Sequence, residues 1–193
     1  GWRAAPLPES DGGSELAARL VQEGDRHFVA LGFGGEHAVT IPAGATALVG
    51  QEMRNPRAGT FHMTVRACVA AADERAYQKF FAGQFRCRMV MFRFAGEDKN
   101  PTHREELGAI DFQPEFSPTG ELQFGEFELT RRLDSAVPGA NFSIGRGLAV
   151  AVLIEKTSPG ELPIPAGTPP LALCIDRIDL EFNSRTINDD VTV

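Results

Sequence analysis

Polar and basic side chains recur at two-residue spacing in two apolar stretches: His62, Thr64 and Arg66 among Phe61, Met63, Val65 and Ala67, then Arg86 and Arg88 among Phe85, Cys87 and Met89. Alternation of this kind sends every second side chain to one face of a strand. With the two strands side by side, all of them share one polar face. Guanidinium forks hydrogen-bond anionic and hydroxylated groups with directional pairs, so the chemistry expected of that face is a groove for a polar or acidic glycan. Glu126, Glu128, Arg177, Asp179 and Glu181 extend it at the same spacing. The same pattern also describes a solvated sheet laced with cross-strand ion pairs, each worth about 0.2–1 kcal/mol, and that is the commoner outcome.

Tyr77, with Phe80 and Phe81, and Phe142 in Gly139-Ala140-Asn141-Phe142-Ser143 place aromatic rings in connecting segments. Rings at one end of a β-sandwich serve either to capture a ligand or to plug the end of the core. Asn141-Phe142-Ser143 is also a formal glycosylation sequon, meaningful only in a eukaryotic secretory pathway. His103 with Asp98, Glu105 and Glu106 assembles the groups of general acid–base or metal chemistry. The stretch lacks the paired histidines of a metalloprotease helix, and no nucleophile elbow or phosphate loop occurs anywhere. A loop histidine among charges is then solvated surface, and the chain is not expected to be an enzyme. Glu126 and Glu128 are the carboxylate pair that a glycan hydrolase reading would require. Cys68, Cys87 and Cys174 are distant in sequence and odd in number; they are expected as reduced, structural residues, with a single disulfide as the alternative.

The elements that must hold these residues are strands. Residues 16–23 and 26–33 flank Gly24-Asp25 as a hairpin, preferred to a helix over 14–22 that would be marginal alone. Strand signals follow at 37–41, 47–53, 60–69, 84–94, 109–116, 122–133, 148–156 and 171–182. Leu148 to Lys156 is almost wholly apolar, as a strand buried on both faces should be. In the last strand Cys174, Ile178, Leu180 and Phe182 are expected inward. Residues 71–83 carry a short helix in this reading, and Thr102 caps one helical turn over 102–107. The expected fold class is all-β, a two-sheet antiparallel β-sandwich of jelly-roll type with about ten strands. Residues 1–13 form an irregular leading segment, 14–183 the sandwich, and 184–193 a tail or linker.

Composition fits one globular domain: 193 residues, 42% hydrophobic and 23% charged. A net charge of −7 argues against nucleic acid as a partner, and no apolar run reaches the length of a membrane helix. The chain opens at Gly1-Trp2 without a Met and is read as part of a longer protein with neighbouring domains.

Three stretches resemble the galactose-binding-like jelly rolls, in particular the carbohydrate-binding modules attached to bacterial glycanases. They are Gly59-Thr60-Phe61-His62-Met63-Thr64-Val65-Arg66-Ala67, Gly125-Glu126-Phe127-Glu128-Leu129-Thr130 and Cys174-Ile175-Asp176-Arg177-Ile178-Asp179-Leu180. The resemblance implies a non-catalytic glycan-binding domain of an exported or cell-surface bacterial protein; the contacts that the residue pattern offers it are His62, Arg66, Arg86, Arg88, Tyr77 and Phe142. It also implies a structural calcium between the first and last strands, for which Glu23, Asp25 and Asp176 supply the oxygens. The chain departs from the family in its aromatics, with one Trp and one Tyr where such modules stack sugars on several. The alternative is a structural or protein-interaction sandwich, favoured if Val90, Phe92 and Phe94 leave an exposed apolar face without a cleft.

Overall fold

In a computed structural model the described residues are 3–6, 16–23, 26–53, 59–94, 104–133 and 148–184. They form β1 (Arg3–Pro6), β2 (Ala17–Glu23), β3 (Arg26–Gly35), β4 (Val39–Ile41), β5 (Thr46–Met53), β6 (Gly59–Ala71), α1 (Glu74–Phe80), β7 (Phe85–Phe94), β8 (Arg104–Phe112), β9 (Phe116–Pro118), β10 (Gly125–Leu133), β11 (Leu148–Lys156), β12 (Leu162–Ile164) and β13 (Thr168–Ser184). One sheet has the order β1-β5-β11-β7-β8 and the other β10-β6-β13-β3-β2, with β9 beside β6 and β4–β12 as a separate ribbon. The two large sheets pack face to face. The chain crosses between them repeatedly, from β3 to β5, back to β6, and over again to β7, which gives the all-β sandwich expected from the alternation.

The interlayer core takes alternate residues from both sheets: Phe61, Met63, Val65, Ala67 and Val69 of β6 face Cys87, Met89 and Met91 of β7 and Val150, Val152 and Ile154 of β11. A large side chain fully buried in this way contributes about 1.5–3 kcal/mol. Strand β11 is central, and Ala149, Ala151 and Leu153 on its other face pack with Leu48, Val90 and Phe92. Its unbroken apolar run thus has a partner on each side.

Several expectations change. The leading segment is not wholly irregular, since Arg3–Pro6 pairs antiparallel with β5. The helical turn over 102–107 gives way from residue 104 to β8, whose ladder runs along β7 from Phe94↔Arg104 to Cys87↔Phe112. One helical turn cannot match a ladder of that length. The segment 109–116 splits, because the chain leaves one sheet after Phe112 and joins the other as β9, parallel to β6 at Val69↔Phe116. With β1, β9 and β12 the strands number thirteen among the described residues. The short helix after β6 does form, capped by Asp73, which accepts from the Ala76 amide at 2.7 Å.

The largest change of phase is in β13. Its register shifts between Ile175 and Arg177, so Asp176 is the extra residue of a β-bulge. Leu171, Leu173 and Ile175 face the core before the bulge, and Ile178 and Leu180 pack against it afterwards. Cys174 therefore points away from the core, into a small outer cluster with Phe28, Cys68 and Ala70, not inward with Ile178 as the simple alternation predicts.

Candidate functional site

The expected shared face divides in two, because β6 and β7 belong to opposite sheets. His62, Thr64 and Arg66 lie on the outside of the β6 sheet. There β10 sets Thr130 and Glu126 opposite His62 and Arg66, and β13 sets Glu181, Asp179 and Arg177 opposite His62, Thr64 and Arg66. A ring nitrogen of His62 is 2.7 Å from Thr130 Oγ1, and Arg66 pairs with Asp176 at 3.1 Å. Arg177 turns to Asp179 at 2.6 Å. This half is a lattice of internal pairs, two across strands and one along β13. Glu126 and Glu128 sit on it as exposed neighbours along one strand, and neither borders the hollows described next.

Arg86 and Arg88 lie across the sandwich, on the outside of the β7 sheet. Arg86 donates to Glu155 Oε2 at 2.6 Å and stands 3.9 Å from Asp111. Arg88 donates to Asp111 Oδ1 at 3.1 Å and to both oxygens of Glu106 at 3.2 Å. The hydrogen bond that Arg86 donates to Glu155 holds the Arg86 pKa above the ordinary arginine value. Two guanidiniums thus meet three carboxylates. This ladder carries no surplus positive charge for an acidic glycan, contrary to the expectation of an anion-reading face.

Arg86 also enters a hollow of about 290 Å³ at the end of the sandwich, bordered by Tyr77, Phe81, Phe85, Asp111, Phe112 and Gln113, among others. Helix α1 supplies Tyr77, and the crossing after β8 supplies Gln113. Tyr77 stacks with Phe81 at 6.0 Å and leans on Phe116 at 5.7 Å, while Phe81 stacks on Phe85 at 5.3 Å. These rings plug the core, yet one side of the plug is a wall of the hollow. Burial raises the Tyr77 pKa and pushes the Cys87 thiol up to about 12. The Arg86 Nε is buried, with no hydrogen-bond partner among the described residues. Tyr77 and Arg86 are thereby brought together. Arg88 belongs to the adjoining ion ladder, and Phe142 lies outside the described residues. Asp111 and Gln113 were missed in the sequence; only their position beside Phe112 could have pointed to them.

A second hollow, an apolar trough of about 370 Å³, runs over the outside of the β6 sheet between Arg19, Val21, Phe28, Ala172, Cys174 and Leu122, among others. It offers few of the polar groups that a sugar requires. Of the expected calcium ligands, Asp176 is engaged by Arg66, while Asp25 and the Glu23 side chain lie outside the described residues. Asp98, His103 and the Glu105 side chain also lie outside them, and Glu106 is held by Arg88. No group of three or more His, Cys, Asp or Glu side chains suited to a metal occurs among the described residues. Val90 and Phe92 do face outward from their sheet but are 3% and 8% exposed, so they form no open apolar face.

No protein-family model matches the chain, and no curated protein matches it in sequence. Solved structures of similar outline include carbohydrate-binding modules, the class that the sequence resembles. One is TmCBM61 in complex with β-1,4-galactotriose, 13% identical over 94% of this chain and 88% of that one, with a TM-score of 0.43. Another is a CBM4 module, 12% identical over 94% and 86%, with a TM-score of 0.47. A third is TmCBM27, a mannan-recognising module, 10% identical over 91% and 88%, with a TM-score of 0.35. All three TM-scores lie below 0.5, so none of these likenesses carries an argument about ligand.

Proposed function

We propose that this domain is a non-catalytic carbohydrate-binding module of a larger exported or cell-surface bacterial protein, and that a neutral glycan binds in the hollow between Tyr77, Phe112 and Arg86. The observation that carries the reading is the aromatic-walled hollow that Arg86 borders beside Asp111 and Gln113; the Arg86 side chain is 41% exposed, and its Nε, itself buried, has no hydrogen-bond partner among the described residues. A sugar ring needs an apolar wall for its C–H face and both donors and acceptors for its hydroxyls. Tyr77 and Phe112 supply the first, Arg86, Gln113 and the Asp111 carboxylate the second. The volume is at the small end of ordinary ligand pockets, about 300–1,000 Å³, which suits a chain end or a single residue of a glycan.

The test is a glycan array on the purified domain, with calcium and with EDTA, followed by calorimetry on any hit. Binding to a neutral glycan, weakened about tenfold or more by Arg86→Gln, is the expected result. His62→Ala and Arg66→Ala lie across the sandwich and should leave binding unchanged. A clean negative over neutral and acidic glycans rejects the carbohydrate reading. Loss in EDTA alone shifts the site to a metal.

A further inference from the structure

We propose that Cys68 and Cys174 form a cross-strand redox pair, a modification site at which a disulfide ties β6 to β13 on the outer face of their sheet. The two residues are register partners on antiparallel strands. Directly opposite residues in such a ladder have Cα atoms about 4.5–5.5 Å apart, inside the roughly 4.4–6.8 Å that a disulfide bridges. As directly opposite partners both side chains point the same way, outward, where they share the cluster with Phe28 and Ala70. All three cysteines are present as thiols. The Cys174 side chain hydrogen-bonds Cys68, and this contact first, with Ser117 adding to it, holds the Cys68 pKa below the usual thiol value against the opposing effect of burial. The thiolate is the form that exchanges. Cys87 is no competitor: it faces the interlayer core from the other sheet, its thiol raised to about 12.

Cys174 borders the trough but is 2% exposed and Cys68 0%, so exchange requires the outer cluster to open or takes place as the chain folds. With a small-molecule disulfide such as oxidised glutathione, the Cys174 thiolate attacks one sulfur. A Cys174–glutathione bond forms as the glutathione S–S bond breaks, and the departing glutathione thiolate takes up the Cys174 proton. The Cys68 thiolate then attacks the Cys174 sulfur and expels the second glutathione, which leaves with the Cys68 proton. Two cysteine thiols are oxidised, and one glutathione disulfide is reduced to two thiols. If the pair were only two small apolar residues in contact, none of this would occur.

The experiment exposes the folded chain to a glutathione redox buffer, refolds a second sample in the same buffer, and counts thiols in denaturant. The expected count falls from the three thiols of the structure to one, and mass mapping finds the Cys68 and Cys174 peptides joined. The oxidised chain melts higher by on the order of 10 °C, because the closed loop is roughly 100 residues long. Cys87→Ala still loses both remaining thiols, whereas Cys174→Ala keeps both of its own and shows no oxidation-dependent melting shift. Three persisting thiols in a refolded chain with native strand content overturn the proposal, as does any linkage through Cys87. Neither outcome bears on the glycan hollow.

Discussion

Lys156 offers the sharpest test of how the ends of this sandwich are held. The side chain is 1% exposed, and its Nζ donates to Ser158 O at 2.8 Å, Ser158 Oγ at 2.9 Å and Gly160 O at 2.7 Å. An ammonium has three donors, and each is met here by a neutral oxygen. Ser158 Oγ in turn donates to Gln84 Oε1 at 2.5 Å, and the Thr157 amide donates to Gln84 O at 2.9 Å. The cation thus fastens the turn after β11 to the start of β7.

Lys156→Met keeps the stem and deletes the three donors. Hydrogen bonds from a charged group are worth about 1.5–3 kcal/mol each, but burying the ammonium costs several kcal/mol that the substitution recovers. Ser158 and Gly160 are also open enough for water to reach their oxygens once the lysine is gone. The net loss expected is about 2 kcal/mol, or a fall of about 4–8 °C in Tm for a chain of this size. Thermal and urea unfolding followed by circular dichroism measure it. Ser158→Ala should cost less, and the double variant should cost less than the two together, with a coupling of at least about 0.5 kcal/mol. If Lys156→Met melts at or above the parent temperature, the cage only offsets its own desolvation and the argument fails.

Gly32→Ala should destabilise by about 3 kcal/mol or more, because an added Cβ would lie 2.1 Å from Leu171 O and 2.6 Å from Ala172 Cα; urea titration measures the loss, and a parent-like midpoint contradicts the close β3–β13 approach. Burial raises the Cys87 pKa from 9.0 to about 12 in the folded chain, so its contribution is complete below pH 9 and is lost as pH rises from there toward 12. Unfolding free energy should therefore fall over that window by up to about 1.4 kcal/mol per pH unit from this thiol, and Cys87→Ala should flatten the slope. Deleting Asp176 should abolish folding, since one half of β13 must then turn its side chains to the wrong face; soluble protein with native circular dichroism would refute the bulge assignment.

The alternation of β6 and β7 and the unbroken apolar run of β11 were legible because side-chain period is a local property of the chain. Sheet membership was not. Strands β6 and β7 follow one another and carry similar basic residues, but α1 takes the chain across the end of the sandwich between them. His62 and Arg66 are thereby separated from Arg86 and Arg88. The helical turn at 102–107 failed for a different reason: residues 104–106 pair with 92–94 on the strand just before them, and that pairing overrides a local capping signal. Tyr77 and Arg86 were both singled out, but on separate grounds. Only the folded end of the sandwich joins them with Asp111 and Gln113.

The bulge at Asp176 has consequences in both directions along β13. A strand of 17 residues without a bulge would twist and alternate continuously, and every odd position from Leu171 onward would face the core. That would bury Arg177, Asp179 and Glu181, charged groups whose unpaired burial costs several kcal/mol each. One extra residue reverses the phase at the point where the sequence changes from Leu-Ala-Leu-Cys-Ile to Arg-Ile-Asp-Leu-Glu. The inserted carboxylate does not go unmatched, because Arg66 on β6 meets it at 3.1 Å. On the near side of the bulge the outer face is made of Ala172 and Cys174 and is apolar. On the far side it carries charges paired with one another and with β6. A single backbone irregularity thus separates the trough with its thiol pair from the ion lattice.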